Sequence, residues 1–438
     1  MNDHQINEAL LSFLEKSPTA FHAVANIKAM LEKEGFTALE EGESWFLEYG
    51  KGYYVSRNDS AIISFRIPEG KFSGFQIATS HGDSPSFKIK ENPEIDVEGK
   101  YTKLNVEGYG GMLCAPWFDR PLSVAGRIVA EKNGNVSTHL VCLDQDLLMI
   151  PNLAIHINRK VNEGYAYNIQ TDMLPLMGEG SAKGKLMALV ARAAGVHEKE
   201  VVGTDLFLYN RMKGCVWGAD EAFLSSPRLD DLQCGFGTLK GFIAAKNPKN
   251  VTVHCVFDNE EVGNGTKQGA ASTFLKDTLM RICKGTGGTE EDYFRFLAGS
   301  FMVSADNGHA VHPNFPEKTD VTNRAYMNGG IVIKHNANQK YTTDAISNGI
   351  FKTICKMAGV PVQSFVNRSD MAGGSTLGNV ANTQTPMNTV DIGLAQLAMH
   401  SPYETCGVKD TAYLERAAET FFKTAVLCDG KGCYRIEK

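Results

Sequence analysis

Two adjacent glutamates, Glu260 and Glu261, stand where the apolar run Val251-Thr-Val-His-Cys-Val-Phe-Asp258 gives way to the turn Glu261-Val-Gly-Asn-Gly265. A strand that buries apolar residues and then delivers two carboxylates at its end is poorly explained as scaffolding. A site shared by two metal ions needs such a pair, one carboxylate to bind metal and one free to move protons. Similar groups follow other strand-like runs. Residues 75–80 end at His81 and Asp83, and 301–305 end at Asp306 with His309 three residues on. Residues 388–392 are followed by Gly393-Leu-Ala-Gln-Leu-Ala-Met-His400-Ser401, and Asp230 lies in Ser226-Pro-Arg-Leu-Asp-Asp-Leu232 ahead of a predicted helix.

Each group alone has an ordinary reading. An isolated histidine at a turn is usually solvated, and the Glu260–Glu261 pair alone suits a charged turn. His81-Gly-Asp83 is more pointed, because a ligand imidazole needs a carboxylate or carbonyl to fix its tautomer. Asp230 and Asp231 both suit a helix start, and spacing does not choose between them. The argument for chemistry is convergence. In open α/β sheets ligands bind beyond the carboxyl ends of the strands, so these runs must share one sheet.

The elements that would position them are legible as patterns. Ala20, Val24, Ile27 and Leu31 recur at helical spacing, with Ser17-Pro18-Thr19 as a start and Gly35 as a stop. Strand-like runs follow at 52–55, 61–67 and 75–79. From about residue 91 short strands (123–130, 138–143, 205–209) are separated by Gly, Asn and Pro, with a helix pattern at 182–194. After Ser225, strands again alternate with helices, including helices near 232–245 and 408–427. This alternation predicts an α/β fold, a mostly parallel central sheet flanked by helices. The expected organisation is a catalytic domain in two parts, 1–90 and 223–438, interrupted by an inserted β-rich domain over 91–222.

Composition narrows the function classes. A net charge of −6 on 438 residues, without a long Lys/Arg cluster, argues against nucleic acid as a partner. No stretch approaches the ~18 apolar residues of a membrane span. The start Met1-Asn-Asp-His-Gln lacks the pattern of a secretory signal. The ten cysteines lie singly with no C-x-x-C pair, as in a reduced, cytoplasmic protein; Cys428 and Cys433 are close enough in sequence to bridge but are expected to be free. His254, inside a strand, is expected to be a core group.

Taken in order, the segments His81-Gly-Asp-Ser-Pro85, Ser226-Pro-Arg-Leu-Asp230, Asp258-Asn-Glu-Glu-Val-Gly263, Ser304-Ala-Asp306, His309-Ala-Val-His-Pro-Asn314 and Gln396-Leu-Ala-Met-His400-Ser401 resemble the aspartyl aminopeptidase family of dinuclear metallopeptidases. The resemblance covers nearly the whole chain. It implies that His81 and Asp306 hold one metal, Glu261 and His400 the other, with Asp230 bridging. It makes Glu260 the general base and Asp83 the residue that orients His81. His156, in Asn152-Leu-Ala-Ile-His-Ile-Asn158, matches a histidine that reaches a neighbouring subunit's active site. Lys334 matches a position at the specificity pocket, and His309 stands near the metals in sequence. The middle segment would be a dimerisation domain, with dimers assembling into a tetrahedral dodecamer. His-Gly-Asp here replaces the family's usual His-Thr-Asp, without touching a ligand.

The expected activity is removal of the N-terminal residue from peptides, with preference for Asp or Glu. Two divalent ions per subunit are expected; the His and carboxylate set suits Zn2+ and is compatible with Co2+ or Mn2+. The rival readings are a metal-dependent deacylase or carboxypeptidase on the same constellation, and a non-catalytic assembly scaffold. An intact Glu260 weighs against the scaffold.

Overall fold

The computed structural model describes residues 3–246, 248–428 and 432–437. A nine-stranded sheet forms its centre, in the order Thr37–Leu39, Gly52–Arg57, Ala61–Arg66, Val251–Phe257, Phe75–His81, Phe301–Ala305, Asn388–Gly393, Ile331–His335 and Val362–Val366. The four middle strands, from Val251–Phe257 to Asn388–Gly393, run parallel. Antiparallel neighbours join them on either side.

The reason is burial. Every residue of Phe75–His81 and of Val251–Phe257 is buried, as expected of parallel strands covered on both faces. Along Val251–Phe257, Val251, Val253, Cys255 and Phe257 face a cluster with Phe274, Leu279 and Tyr293. Val256 points the other way, into a cluster with Leu10, Ile27, Phe236 and Phe421. That second face is covered by the helices Asp3–Glu15, Ala20–Lys33, Leu229–Ala244 and Asp410–Lys423. The helix Ala20–Lys33 buries Ala20, Val24, Ile27 and Leu31, the face its spacing predicts. Burying the Val24, Ile27 and Leu31 side chains contributes about 1.5–3 kcal/mol each. His254 is a core group, stacked on Phe242 with Nε2 3.3 Å from the Gly235 carbonyl.

A six-stranded antiparallel sheet draws its strands from between Ser86 and Asn210, in the order Asn135–Cys142, Leu122–Lys132, Val201–Asn210, Ser86–Val97, Tyr101–Tyr109 and Leu176–Glu179. It has its own core, built on Phe87, Leu104, Trp117, Ile128 and Leu206. A third sheet, Cys215–Trp217, Phe223–Ser226, Glu404–Gly407, Ala395–Leu397 and Gly308–His309, combines two strands that follow the six-stranded sheet in sequence with three that follow the central strands Phe301–Ala305 and Asn388–Gly393.

The C-terminus differs from its sequence pattern. The helix ends at Lys423, and Ala425–Cys428 forms a hairpin with Tyr434–Glu437 instead of extending it. The β-branched and apolar run past Thr424 carries no helical face for the core to use. All ten cysteines are free, Cys428 and Cys433 included.

Candidate metal centre

The strand ends meet as the sheet requires. His81 is the last residue of Phe75–His81 and pairs in register with Phe257, three residues before Glu260. Asp306 follows Phe301–Ala305 directly, and its N–H donates to the Ile392 carbonyl at 3.0 Å. Gly393 is required there, because a Cβ on it would lie 2.0 Å from the Asp306 carbonyl oxygen. Asp230 enters at the start of the helix Leu229–Ala244, where it and Asp231 have non-helical backbone and share a cis peptide bond.

Two ligand clusters result. His81, Asp230 and Asp306 form one, and Asp230, Glu261 and His400 the other, with ligand atoms in each within 4.8 Å of one another. Asp230 belongs to both: its Oδ1 is 3.5 Å from His81 Nε2 and its Oδ2 is 3.6 Å from His400 Nε2. Glu261 Oε2 is 3.3 Å from His400 Nε2, and Asp306 Oδ1 is 3.8 Å from His81 Nε2. Glu260 also groups with His81 and Glu261.

Both imidazoles are set with Nε2 toward these carboxylates. His81 Nδ1 lies 3.1 Å from the Asp83 carbonyl oxygen and His400 Nδ1 2.5 Å from that of Gly111. A carbonyl only accepts, so each Nδ1 carries a proton and Nε2 is the nitrogen left free to offer its lone pair to a cation. Asp83 adds its carboxylate, with Oδ1 3.4 Å from His81 Nδ1.

The residues fit divalent cations on two further grounds. Asp230 Oδ1 and Glu261 Oε1 are buried without a hydrogen-bond partner among the described residues, a costly state for a carboxylate that a cation relieves. The acids also crowd. Burial pushes the Glu260 carboxyl up to about 7, with His81 opposing and Asp306, Asp83 and Asp230 adding to the push. Burial and the Asp230 charge hold Glu261 well above the carboxylate range. Burial alone would depress the His81 imidazole, but Asp230, Asp306 and Asp83 hold it well above its usual value. Protons thus gather where cation charge would otherwise sit, and binding a cation releases them.

A second layer of acids holds the main chain of the ligands. Asp83 accepts the Glu260 and Glu261 N–H groups at 3.2 Å each and the Tyr109 hydroxyl at 2.7 Å. Asp231 accepts from the backbone of His81 and Asn307, and Glu404 from that of Asp230 and His400. The family resemblance set Asp231 aside as a ligand, and the sequence held no signal for Tyr109 or for Glu404, whose partner Asp230 lies far away along the chain.

The remaining expected residues lie as follows. Lys334 is buried, its Nζ 3.5 Å from Asp306 Oδ2 and donating to the Asn307 carbonyl at 2.9 Å. Burial would push the Asp306 carboxyl up, but Lys334 and His81 bring it down to about 2. His309 is exposed and lines a cavity of about 320 Å³ with Phe365, Asn367, Gly373 and Met399. His156 is exposed between Ile155 and Ile157, in a run outside this cluster where Leu153, Ile155 and Ile157 are all exposed.

Comparison with known proteins places this arrangement among relatives. The family described as aminopeptidase I zinc metalloprotease (M18) matches residues 13–422. A probable M18 family aminopeptidase 2 from Clostridium novyi is 47% identical over 422 residues, covering 94% of this chain and 97% of the relative. Its counterpart from Clostridium acetobutylicum is 45% identical, covering 96% and 99%. Among solved structures, the cryo-EM structure of the Ape4 and Nbr1 complex aligns with a TM-score of 0.92 at 36% identity, over 96% of this chain and 86% of that one. The S. cerevisiae mApe1 dodecamer aligns with a TM-score of 0.85 at 28% identity, over 97% of each chain.

Proposed function

Because the chain belongs to the M18 family of zinc metalloproteases and is an aminopeptidase of that family, we propose that it works with two divalent cations, zinc first among them, and favours Asp or Glu at the peptide N-terminus. The observation that carries the two-cation reading is the Asp230 carboxylate, whose two oxygens each face a different histidine, His81 and His400. In this proposal His81 and Asp306 hold one ion, Glu261 and His400 the other, and Asp230 bridges. Bound there, the cations supply Lewis-acid polarisation of the scissile carbonyl and acidify water.

The chain's own residues do the rest. Glu260, beside the ligands without being needed as one, takes the proton of the attacking water and passes it to the leaving amine. Asp83 fixes His81 in the tautomer that presents Nε2. The acidic preference is assigned to Lys334, a buried ammonium beside Asp306, with His309 at the mouth of the adjoining cavity. Removal of a terminal residue then breaks one amide bond at the cost of one water.

Assembly is part of the same proposal. The relation to mApe1, solved as a dodecamer, supports dimers that build a tetrahedral dodecamer, with residues 91–222 as the dimerisation domain. The exposed Leu153, Ile155 and Ile157 supply the apolar surface such an interface needs. His156 among them is assigned to a neighbouring subunit's active site. Ten free cysteines fit a reducing, cytoplasmic setting.

Hydrolysis of Asp-, Glu-, Leu- and Lys-linked chromogenic substrates, before and after chelation and restoration with zinc, cobalt or manganese, tests the reading. Metal-dependent cleavage led by Asp and Glu is expected. Equal rates on all four would overturn the acidic preference, and cleavage restricted to N-acylated substrates would indicate a deacylase. Light scattering at the 47.8 kDa mass of one chain would overturn the assembly.

A further inference from the structure

Glu404 is buried, 2% exposed, at the start of the strand Glu404–Gly407. That strand pairs with Phe223–Ser226, Ser226 opposite Glu404, just before the chain turns into the segment bearing Asp230. Glu404 Oε2 accepts the Asp230 N–H at 2.9 Å, and Oε1 accepts the His400 N–H at 2.8 Å. We propose that Glu404 is a positioning residue for the metal centre: its one carboxylate fixes the main chain of both Asp230 and His400, and so shapes the Asp230, Glu261 and His400 cluster before a cation arrives. The inference rests on the two-cation reading above.

Three features support it. His400 and Ala398 both have left-handed backbone, φ 66° and 55°, which a non-glycine residue holds only when its surroundings impose it. The Glu404 contact to the His400 N–H is one of the contacts that hold His400 there. Next, the role calls for an acid. A carboxylate accepts with both oxygens, whereas an amide would turn its NH2 toward one of the two N–H groups and leave it buried and unpaired. Finally, Glu404 is tied to the other cluster. Gln396 Nε2 donates to Glu404 Oε1 at 3.5 Å, Gln396 Oε1 accepts from Asn307 Nδ2 at 2.8 Å, and the Asn307 N–H donates to Asp231, which also accepts the His81 N–H.

The test is zinc titration of the full-length protein against a chromophoric chelator, for wild type, Glu404→Gln and Asp410→Asn. Asp410 is the control: it too is a fully buried acid that accepts two backbone N–H groups, from Asn328 and Gly330, but outside the ligand clusters. Wild type is expected to bind two equivalents. Glu404→Gln should bind at least one equivalent about ten-fold or more less well, while Asp410→Asn matches wild type. Two wild-type affinities in Glu404→Gln, or an equal loss in Asp410→Asn, would overturn the inference. Wild type binding one equivalent would overturn the two-cation reading itself. Should Glu404→Gln not fold, amide exchange in metal-free wild type decides: slow exchange at Asp230 and His400 is expected, and fast exchange at both would count against Glu404.

Discussion

Tyr109 donates its hydroxyl to Asp83 at 2.7 Å while accepting from Asn259 Nδ2 at 2.8 Å. Through this contact the six-stranded sheet reaches the residue that orients His81. The same segment supplies the Gly111 carbonyl that orients His400. Both imidazoles of the centre therefore have their tautomers set by, or next to, the inserted sheet. Tyr109→Phe removes the hydroxyl and leaves the ring packed on Phe207. Activity should fall by up to about ten-fold, the lower end of what losing a direct partner of a metal ligand costs, because Tyr109 acts through Asp83, with zinc released at lower chelator concentration. Unchanged kcat/KM and zinc retention would show that Asp83 needs no help from the sheet.

Glu260→Gln should lower kcat by about 10²–10⁴ and leave zinc binding in place. The pH profile carries further information. A general base works ionised, so activity should be lost as pH falls through the Glu260 pKa. Burial holds that value at about 7 without metal, and bound cations draw it lower, so the acid limb should lie below 7 and vanish in the variant. An acid limb that persists in Glu260→Gln would assign it to another group.

Lys334→Met should reduce turnover of Asp substrates far more than of Leu substrates. It also removes the ammonium that, with His81, brings Asp306 down to about 2, so the variant should lose zinc at a higher pH than wild type does. Equal losses on the two substrates would exclude Lys334 from the specificity pocket and leave it as a partner of Asp306 alone.

Asp410 gives a pH dependence of stability away from the metals. Burial pushes its carboxyl up to about 7, against the pull of the Asn328 and Gly330 N–H groups. Between its ordinary value near 4 and 7 the folded state holds a proton that the unfolded state releases, so the wild type loses stability as pH rises through that window. Urea unfolding of metal-free protein should show Asp410→Asn gaining on wild type by about 1.4 kcal/mol per pH unit there, and by no more above 7. A constant difference across pH would mean that Asp410 titrates normally.

The candidate ligands are more legible in the sequence than the residues that support them, and the reason is geometric. His81, Glu260, Glu261 and Asp306 each follow a buried strand within a few residues, so an apolar run followed by a polar group marks them. His400 is less direct. It lies beyond Ala395–Leu397, in the small third sheet and not at the end of Asn388–Gly393. Asp230 and Asp231 could not be separated by spacing because both open one helix, and their carboxylates differ in where they point, which only packing decides. Tyr109 leaves no local trace, since it meets Asp83 and Asn259 across long stretches of chain, and Glu404 follows no buried strand although it lies four residues from His400. The expected helix 408–427 overruns into the first hairpin strand because Ala425, Val426 and Leu427 continue the apolar run of the helix Asp410–Lys423.

The order of the ligands along the chain has a consequence for synthesis. His81 emerges from the ribosome early, Asp230, Glu261 and Asp306 follow, and His400 comes near the end, each in a different strand or loop. No two of the five are near neighbours in sequence, so none of the pairs can chelate an ion before the chain folds. A nascent or truncated chain lacking its last segment therefore has neither His400 nor Glu404. On the two-cation proposal such a chain cannot complete the cluster of Asp230, Glu261 and His400, so the site is assembled only once its last contributor has joined the fold.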